Sequence, residues 1–249
     1  MRKQFFGIGV LFLGFGIQAS ELASIMGKPS EVVTRDIVEE HLDLQGNSVV
    51  DNSTTYAFSI FYSYGVKSVT SIEILKNMST SINLFEQAIE LAVQKSPVVF
   101  TTIGPILSLC ALLEAHPNTA FVIVSGNDAE RLDPEQYPAC AARNILRVAA
   151  FDHETISLMP YSNFGPLIRI AAPGKNILVE NILGEEIRVS NTSVAAAQVA
   201  ARLALFAAQE QALKGGALIE SFLAAHTTRV ASLENLVENA RILRWADYY

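Results

Sequence analysis

Asn191-Thr192-Ser193-Val194-Ala195-Ala196-Ala197-Gln198-Val199-Ala200 is the stretch on which the fold turns. Asn, Thr and Ser supply side-chain oxygens to the N–H groups that the first turn of a helix leaves without acceptors. The apolar residues that follow run on as Val194–Ala208 and make the longest apolar helix in the chain. Gln198 and Arg202 lie within it, which suits a core helix and not a membrane span. The N-terminus of such a helix favours negative charge through its free N–H groups and its macrodipole. The hydroxyl of Ser193 sits at that end.

Outward from this helix, β-rich apolar runs alternate with helical patterns. Strands are predicted at Glu31–Thr34, Ser71–Lys76, Val98–Ile103, Ala120–Ser125, Ile145–Phe151 and Leu167–Ala172. They are apolar throughout and do not alternate, as expected of strands buried on both faces. Helices are predicted at Ile82–Gln94, with apolar residues at 82, 85, 88, 89 and 92, at Pro105–Ala115, and over the amphipathic Ala217–Leu236. The alternation argues for a mainly parallel sheet with helices on both faces. No repeat and no Pro/Ser-rich linker divides the chain, so one domain is expected over residues 20–249.

Half of the 249 residues are hydrophobic and 17% are charged, a globular composition, and the formal net charge is −7. The longest basic tract is Arg2-Lys3, which argues against nucleic acid as a partner. Arg2 and Lys3 precede an apolar, glycine-containing run from Phe5 to Ile17, and Ala19 and Ser20 follow. This pattern predicts a signal peptide over residues 1–19, a mature chain without a transmembrane helix, and a periplasmic or secreted location. Cys110 and Cys140 fit no metal-ligand spacing. In an oxidising compartment they can pair, and a cysteine in an apolar helix is also commonly plain core; the sequence leaves the two readings open.

Six motifs, met in order, resemble the subtilisin-like (S8) family of serine proteases. Val122-Ile123-Val124-Ser125-Gly126-Asn127 is similar to the family's apolar strand ending in A-G-N. Tyr137-Pro138-Ala139 resembles Y-P-A, and Val148-Ala149-Ala150-Phe151-Asp152 resembles V-G-A-V-D. Tyr161-Ser162-Asn163-Phe164-Gly165-Pro166 is similar to F-S-S-x-G-P, and Ala172-Pro173-Gly174 to A-P-G. The opening stretch aligns without a gap to G-T-S-M-A-S-P-H-V-A. The first half matches more loosely, through Ser71–Lys76, Val98–Gly104 and the gapless Thr34–Leu44 against D-S-G-I-x-x-x-H-P-D-L. The resemblance covers most of residues 30–245 and implies a three-layer α/β fold.

It also implies site positions. Ser193 takes the nucleophile position and Asn127 the oxyanion-hole position. Thr102, Gly104, Ser125 and Gly126 match the edges that bind a substrate strand. Asn191 replaces a glycine, a change that matters if the position needs positive φ. A serine protease also needs a base and a carboxylate to orient it. The histidine position falls on Asn52, whose amide has no useful basicity near neutral pH. Whatever the register, no histidine occurs between His41 and His116. Thr34 takes the carboxylate position, with Asp36 two residues on. His116, His153 and His226 lie in regions that the family places away from the site. Lys175, Lys67 and Asp51 would substitute only through an unusual geometry.

The resemblance therefore implies an exported domain with a broken triad. It would act by binding a protein or peptide, or as a structural subunit of an envelope or secretion assembly, and it calls for no cofactor and no metal. The alternative is an active serine endopeptidase with a rearranged triad built on Ser193. In a third reading even the groove is filled, with Phe58, Phe61, Tyr62 and Tyr64 as the bulky candidates.

Overall fold

The structure, a computed structural model, describes residues 8–12, 31–37, 52–66, 69–75, 82–102, 107–180 and 184–244. Twelve strands are described: β1 (Ile8–Phe12), β2 (Glu31–Ile37), β3 (Val69–Leu75), β4 (Val98–Thr101), β5 (Ala120–Val124), β6 (Ile145–Asp152), β7 (Ser157–Leu158), β8 (Ile170–Pro173), β9 (Ile177–Glu180), β10 (Glu186–Val189), β11 (Thr227–Arg229) and β12 (Arg241–Leu243). The helices are α1 (Asn52–Ser63), α2 (Ile82–Lys95), α3 (Leu107–Glu114), α4 (Thr192–Gln209) and α5 (Gly215–His226).

One sheet runs in the order β11-β12-β8-β6-β5-β4-β1-β3-β2, with β7 added to β6, and β9 and β10 form a separate hairpin. From β12 to β3 every neighbouring pair is parallel. The pairs β2–β3, β6–β7 and β11–β12 are antiparallel. Every residue of β4, β5, β6 and β8 is buried. Side chains alternate between two cores, as strand geometry requires. Ala120, Val122 and Val124 of β5 join α1, α4 and α5 on one face. Phe121 and Ile123 join α2 and α3 on the other. The central strands are apolar throughout because each of their faces meets helices.

Helix α4 covers β4, β5, β6 and β8. From Val194 to Ala201 its residues are all buried, most of them alanine. Such small side chains let the helix lie close to the sheet, and a helix apolar all round belongs inside. Phe61 of α1 is fully buried and meets Phe100 of β4 edge-on, with ring centroids 5.8 Å apart. One of the aromatic residues considered as groove filling is therefore core; the side chains of Phe58 and Tyr62 lie outside the described residues.

One expectation is corrected here. Ala217–Leu236 is not one helix: α5 stops at His226 and the chain turns into β11, which pairs with β12. The β-branched Thr227-Thr228 and Val230 favour that change. The apolar N-terminal run, read above as part of a signal peptide, contributes a strand to the sheet. Ile8–Phe12 lies in the sheet between β3 and β4, parallel to both. An export signal and a strand of a parallel sheet are both apolar, so composition alone does not separate them. Among the described residues no helix is long and apolar enough to cross a membrane.

Without β1 the sheet would part between β3 and β4. Deleting residues 1–12 is expected to abolish the cooperative thermal transition followed by far-ultraviolet circular dichroism. A truncated chain with a sharp transition would contradict this placement.

Candidate functional site

The C-terminal ends of β1, β4 and β5 share one edge of the sheet, since Leu11 pairs with Thr101 and Thr101 with Ile123. In open α/β sheets ligands gather at this edge. Here it carries Thr102, Ser125, Gly126 and Asn127, and the N-terminus of α4 is bonded to it. Asn127 Oδ1 accepts the Thr192 N–H at 3.0 Å. That bond fixes the Asn127 amide beside the start of the helix and leaves its two N–H donors for another acceptor.

The first turn of α4 is capped by Asn191, whose Oδ1 accepts the Val194 N–H at 2.8 Å. Thr192 N–H and Val194 N–H are thus both taken. Ser193 N–H, at the second helical position, has no acceptor among the described residues and lies in the helix's most positive region. Ser193 is half-buried. Asn191 itself is extended, with φ −167° and ψ 175°, so the asparagine that replaces glycine carries no backbone strain. Its side chain caps the helix, which a glycine would not do.

The loop that carries Asn127 is shaped by Asn163, a residue that no motif singles out in the sequence. Asn163 is 1% exposed. Its Nδ2 donates to Ser125 O at 3.0 Å, and its Oδ1 accepts Asp128 N–H and Glu130 N–H, each at 2.9 Å. Its own N–H donates to Gly126 O. Gly126 has φ +105°, and a Cβ there would stand 2.5 Å from Asn163 Nδ2. Glycine is required both by the conformation and by the close approach. The signal available in sequence was a polar residue inside an otherwise family-like Y-S-N-F-G-P.

Further along the helix, Gln198 ties three elements together. Its Nε2 donates to Pro173 O at 2.6 Å and its Oε1 accepts the Tyr64 hydroxyl at 3.1 Å. Tyr64 follows α1, so this bond holds α1 to α4. Tyr161 Oη donates to Gly174 O at 2.9 Å, and burial pushes this phenol up to about 12. Lys175 Nζ reaches Asp152 and Glu154, each at 2.8 Å, so this lysine is committed away from Ser193.

The edge therefore brings together Ser193, Asn127, Thr102, Ser125 and Gly126. Gly104, Asp51, Lys67 and His41 lie outside the described residues. Asn52 is the first residue of α1. Thr34 is not brought to the site. It lies in the middle of β2, opposite Ile72, with β3 and β1 between it and β4. Asp36 is in the same edge strand, opposite Thr70. The strand end beside β4 belongs instead to β1 and carries Phe12. Matching letters across the first half of the chain did not reveal which strand inserts next to β4. The described histidines are elsewhere: His116 Nε2 is 3.5 Å from Glu90, His153 follows β6, and His226 packs on Phe206 and Phe222. The arrangement presents a hydroxyl and two N–H donors suited to an oxygen bearing negative charge. No described histidine accompanies them.

The subtilase family model matches residues 36–238. Among solved structures the chain is similar to a cold-adapted subtilisin-like serine proteinase, at 16% identity and a TM-score of 0.68, covering 96% of this chain and 88% of that one. It is also similar to the prenylagaramide maturation protease PagA, at 20% identity and a TM-score of 0.62, covering 94% and 87%. The subtilase cytotoxin SubAB gives 17% identity and a TM-score of 0.63, with 96% and 87% covered. No curated protein sequence matches the chain.

Asn191→Ala is expected to cost about 0.5–2 kcal/mol through the lost cap. Ser193→Ala, at a position that caps nothing, should leave stability within about 0.5 kcal/mol. Urea unfolding of the two variants checks the contrast. The hydrogen bond from Lys175 holds the Asp152 carboxyl down to about 2, against the opposing effect of burial. A folded pKa below the unfolded value gives stability that is present above about pH 4 and is lost as pH falls through about 2. Asp152→Asn should flatten the pH dependence of unfolding in that window.

Proposed function

Because the chain belongs to the subtilase family, we propose that it is a family member whose triad is broken and whose remaining site binds without cutting. In this reading Ser193 holds the nucleophile position and Asn127 the oxyanion position. Asn52 stands where the family has its histidine. Among the described residues no carboxylate takes the orienting position: β1, the strand beside β4, contains none, and Thr34 lies in the sheet's edge strand. The observation that carries the reading is the bond that fixes the Asn127 amide at the start of α4, next to Ser193, with no described histidine beside the hydroxyl.

The partner is a peptide or protein segment that lies extended along Thr102 and Ser125-Gly126, adding its backbone to the strand ends as in other β-augmentation complexes. The disulfide between Cys110 and Cys140 supports an oxidising compartment, and we place the protein in the periplasm or outside the cell, as a binding or structural subunit of an envelope or secretion assembly. The alternative, an endopeptidase with a rearranged triad, draws on the same two donors and on Ser193.

Loss of triad members removes about 10⁴- to 10⁶-fold of rate in enzymes of this kind, and the losses do not add. Ser193 keeps an ordinary alcohol pKa when nothing accepts its proton. Peptidase turnover and labelling by a fluorophosphonate probe are expected to be absent across the neutral range. Partner capture from the native envelope should survive Ser193→Ala and fall with Thr102→Lys, which places a long charged side chain on the half-exposed edge. Fluorophosphonate labelling that disappears in Ser193→Ala would establish the enzyme instead.

A further inference from the structure

Away from the strand-end site, the structure holds a buried cation with no ion pair among the described residues. Arg147 of β6 is 0% exposed. Its Nε and Nη1 are buried without a hydrogen-bond partner among the described residues. Its one polar contact there is Nη2 to Cys110 Sγ, at 3.4 Å. A guanidinium taken out of water and left unpaired is among the costliest groups a core can hold. Burial lowers it to about 10, with the Tyr137 phenol opposing that shift, so it keeps its charge at neutral pH. Cys110, on α3, is 0% exposed and is bonded to Cys140 of the short 3₁₀ turn Pro138–Ala141.

A disulfide sulfur is a poor partner for a cation, whereas a thiolate is a good one. The oxidised protein therefore keeps Arg147 in its worst state, and reduction would place an anion against it. We propose that Cys110–Cys140 is a site of thiol–disulfide exchange with dithiols, with Cys140 the sulfur attacked and Cys110 the leaving thiolate held by Arg147.

The direction of attack follows from position. Cys140 lines a surface depression of about 210 Å³, together with Ala141, Pro166, Leu167 and Arg169, whereas Cys110 lies beneath it, against Arg147. The thiolate of a singly ionised dithiol attacks Cys140 Sγ, the S–S bond breaks, and its electron pair leaves with Cys110 as a thiolate. A low-pKa leaving group speeds this step. The second thiol of the dithiol then attacks the mixed disulfide and releases Cys140, which takes up that thiol's proton. The dithiol is oxidised by two electrons to its disulfide, and the protein ends with one thiolate, Cys110, and one thiol, Cys140.

The test uses the full chain. In Cys140→Ser, which leaves Cys110 as a single thiol, thiolate absorbance near 240 nm against pH should show Cys110 ionising at least one unit below the ordinary value of about 8.5. Arg147 is the charged group in contact with it, while Arg143, Arg169, Glu220 and Glu238 line the depression at Cys140. Equilibration with dithiothreitol buffers, read by thiol alkylation and mass, should find the native disulfide about tenfold or more easier to reduce than that of Arg147→Met. Arg147→Lys should keep much of the difference. A Cys110 that titrates at or above about 8.5, or an Arg147→Met disulfide reduced as readily as the native one, overturns the proposal. If Arg147→Met does not fold, the Cys110 titration in Cys140→Ser decides alone.

Discussion

Everything in the described structure depends on how closely helix α4 lies on the parallel sheet. A helix of ordinary side chains stands well off a sheet. One whose first three turns are mostly alanine and valine sits close enough to bury its whole circumference. That closeness puts the start of α4 within hydrogen-bond reach of the loop after β5, so Asn127 can accept from Thr192. It also puts Gln198 between Pro173 and Tyr64, which joins β8 and α1 to the same helix. Gly174 belongs to the same fit: a Cβ there would stand 2.4 Å from that of Ala150 and 3.0 Å from Asn191 O. The apolar contacts set the distance, and the polar ones fix the register.

The site shows what happens when the parts of a catalytic centre depend on different elements. The donors for an oxyanion come from the β5 loop and the α4 N-terminus, which the core needs for its own reasons. Asn127, Asn163 and Asn191 each satisfy backbone N–H groups that would otherwise lack acceptors, so they are retained by stability as much as by chemistry. A general base and its carboxylate contribute little to folding. They can change without disturbing the sheet, which is the physical basis of the proposed reading of this chain.

The second half of the chain was legible because its constraints are local. Ser125-Gly126-Asn127, Ala172-Pro173-Gly174 and the capped alanine-rich helix each carry a backbone or packing requirement that few residues meet, and each lies at or beside the sheet of the expected fold. Asn163 was overlooked because a buried asparagine in a loop has no periodicity to mark it. The first half was less legible: an apolar strand carries little information beyond being apolar, so its letters do not say that Thr34 lies in the sheet's edge strand.

The sequence by itself determined the alternation of buried strands and helices, the parallel sheet that follows from it, the family, and the want of a histidine between His41 and His116. Tertiary structure decided which segment lies beside β4, that Cys110 reaches Cys140, and that Arg147 is sealed in with them. The physical reason is one of range. Periodicity, caps and turns act over a few residues and are written along the chain. A strand's neighbours and a buried charge's surroundings are set by segments tens of residues away, which meet only when the sheet closes.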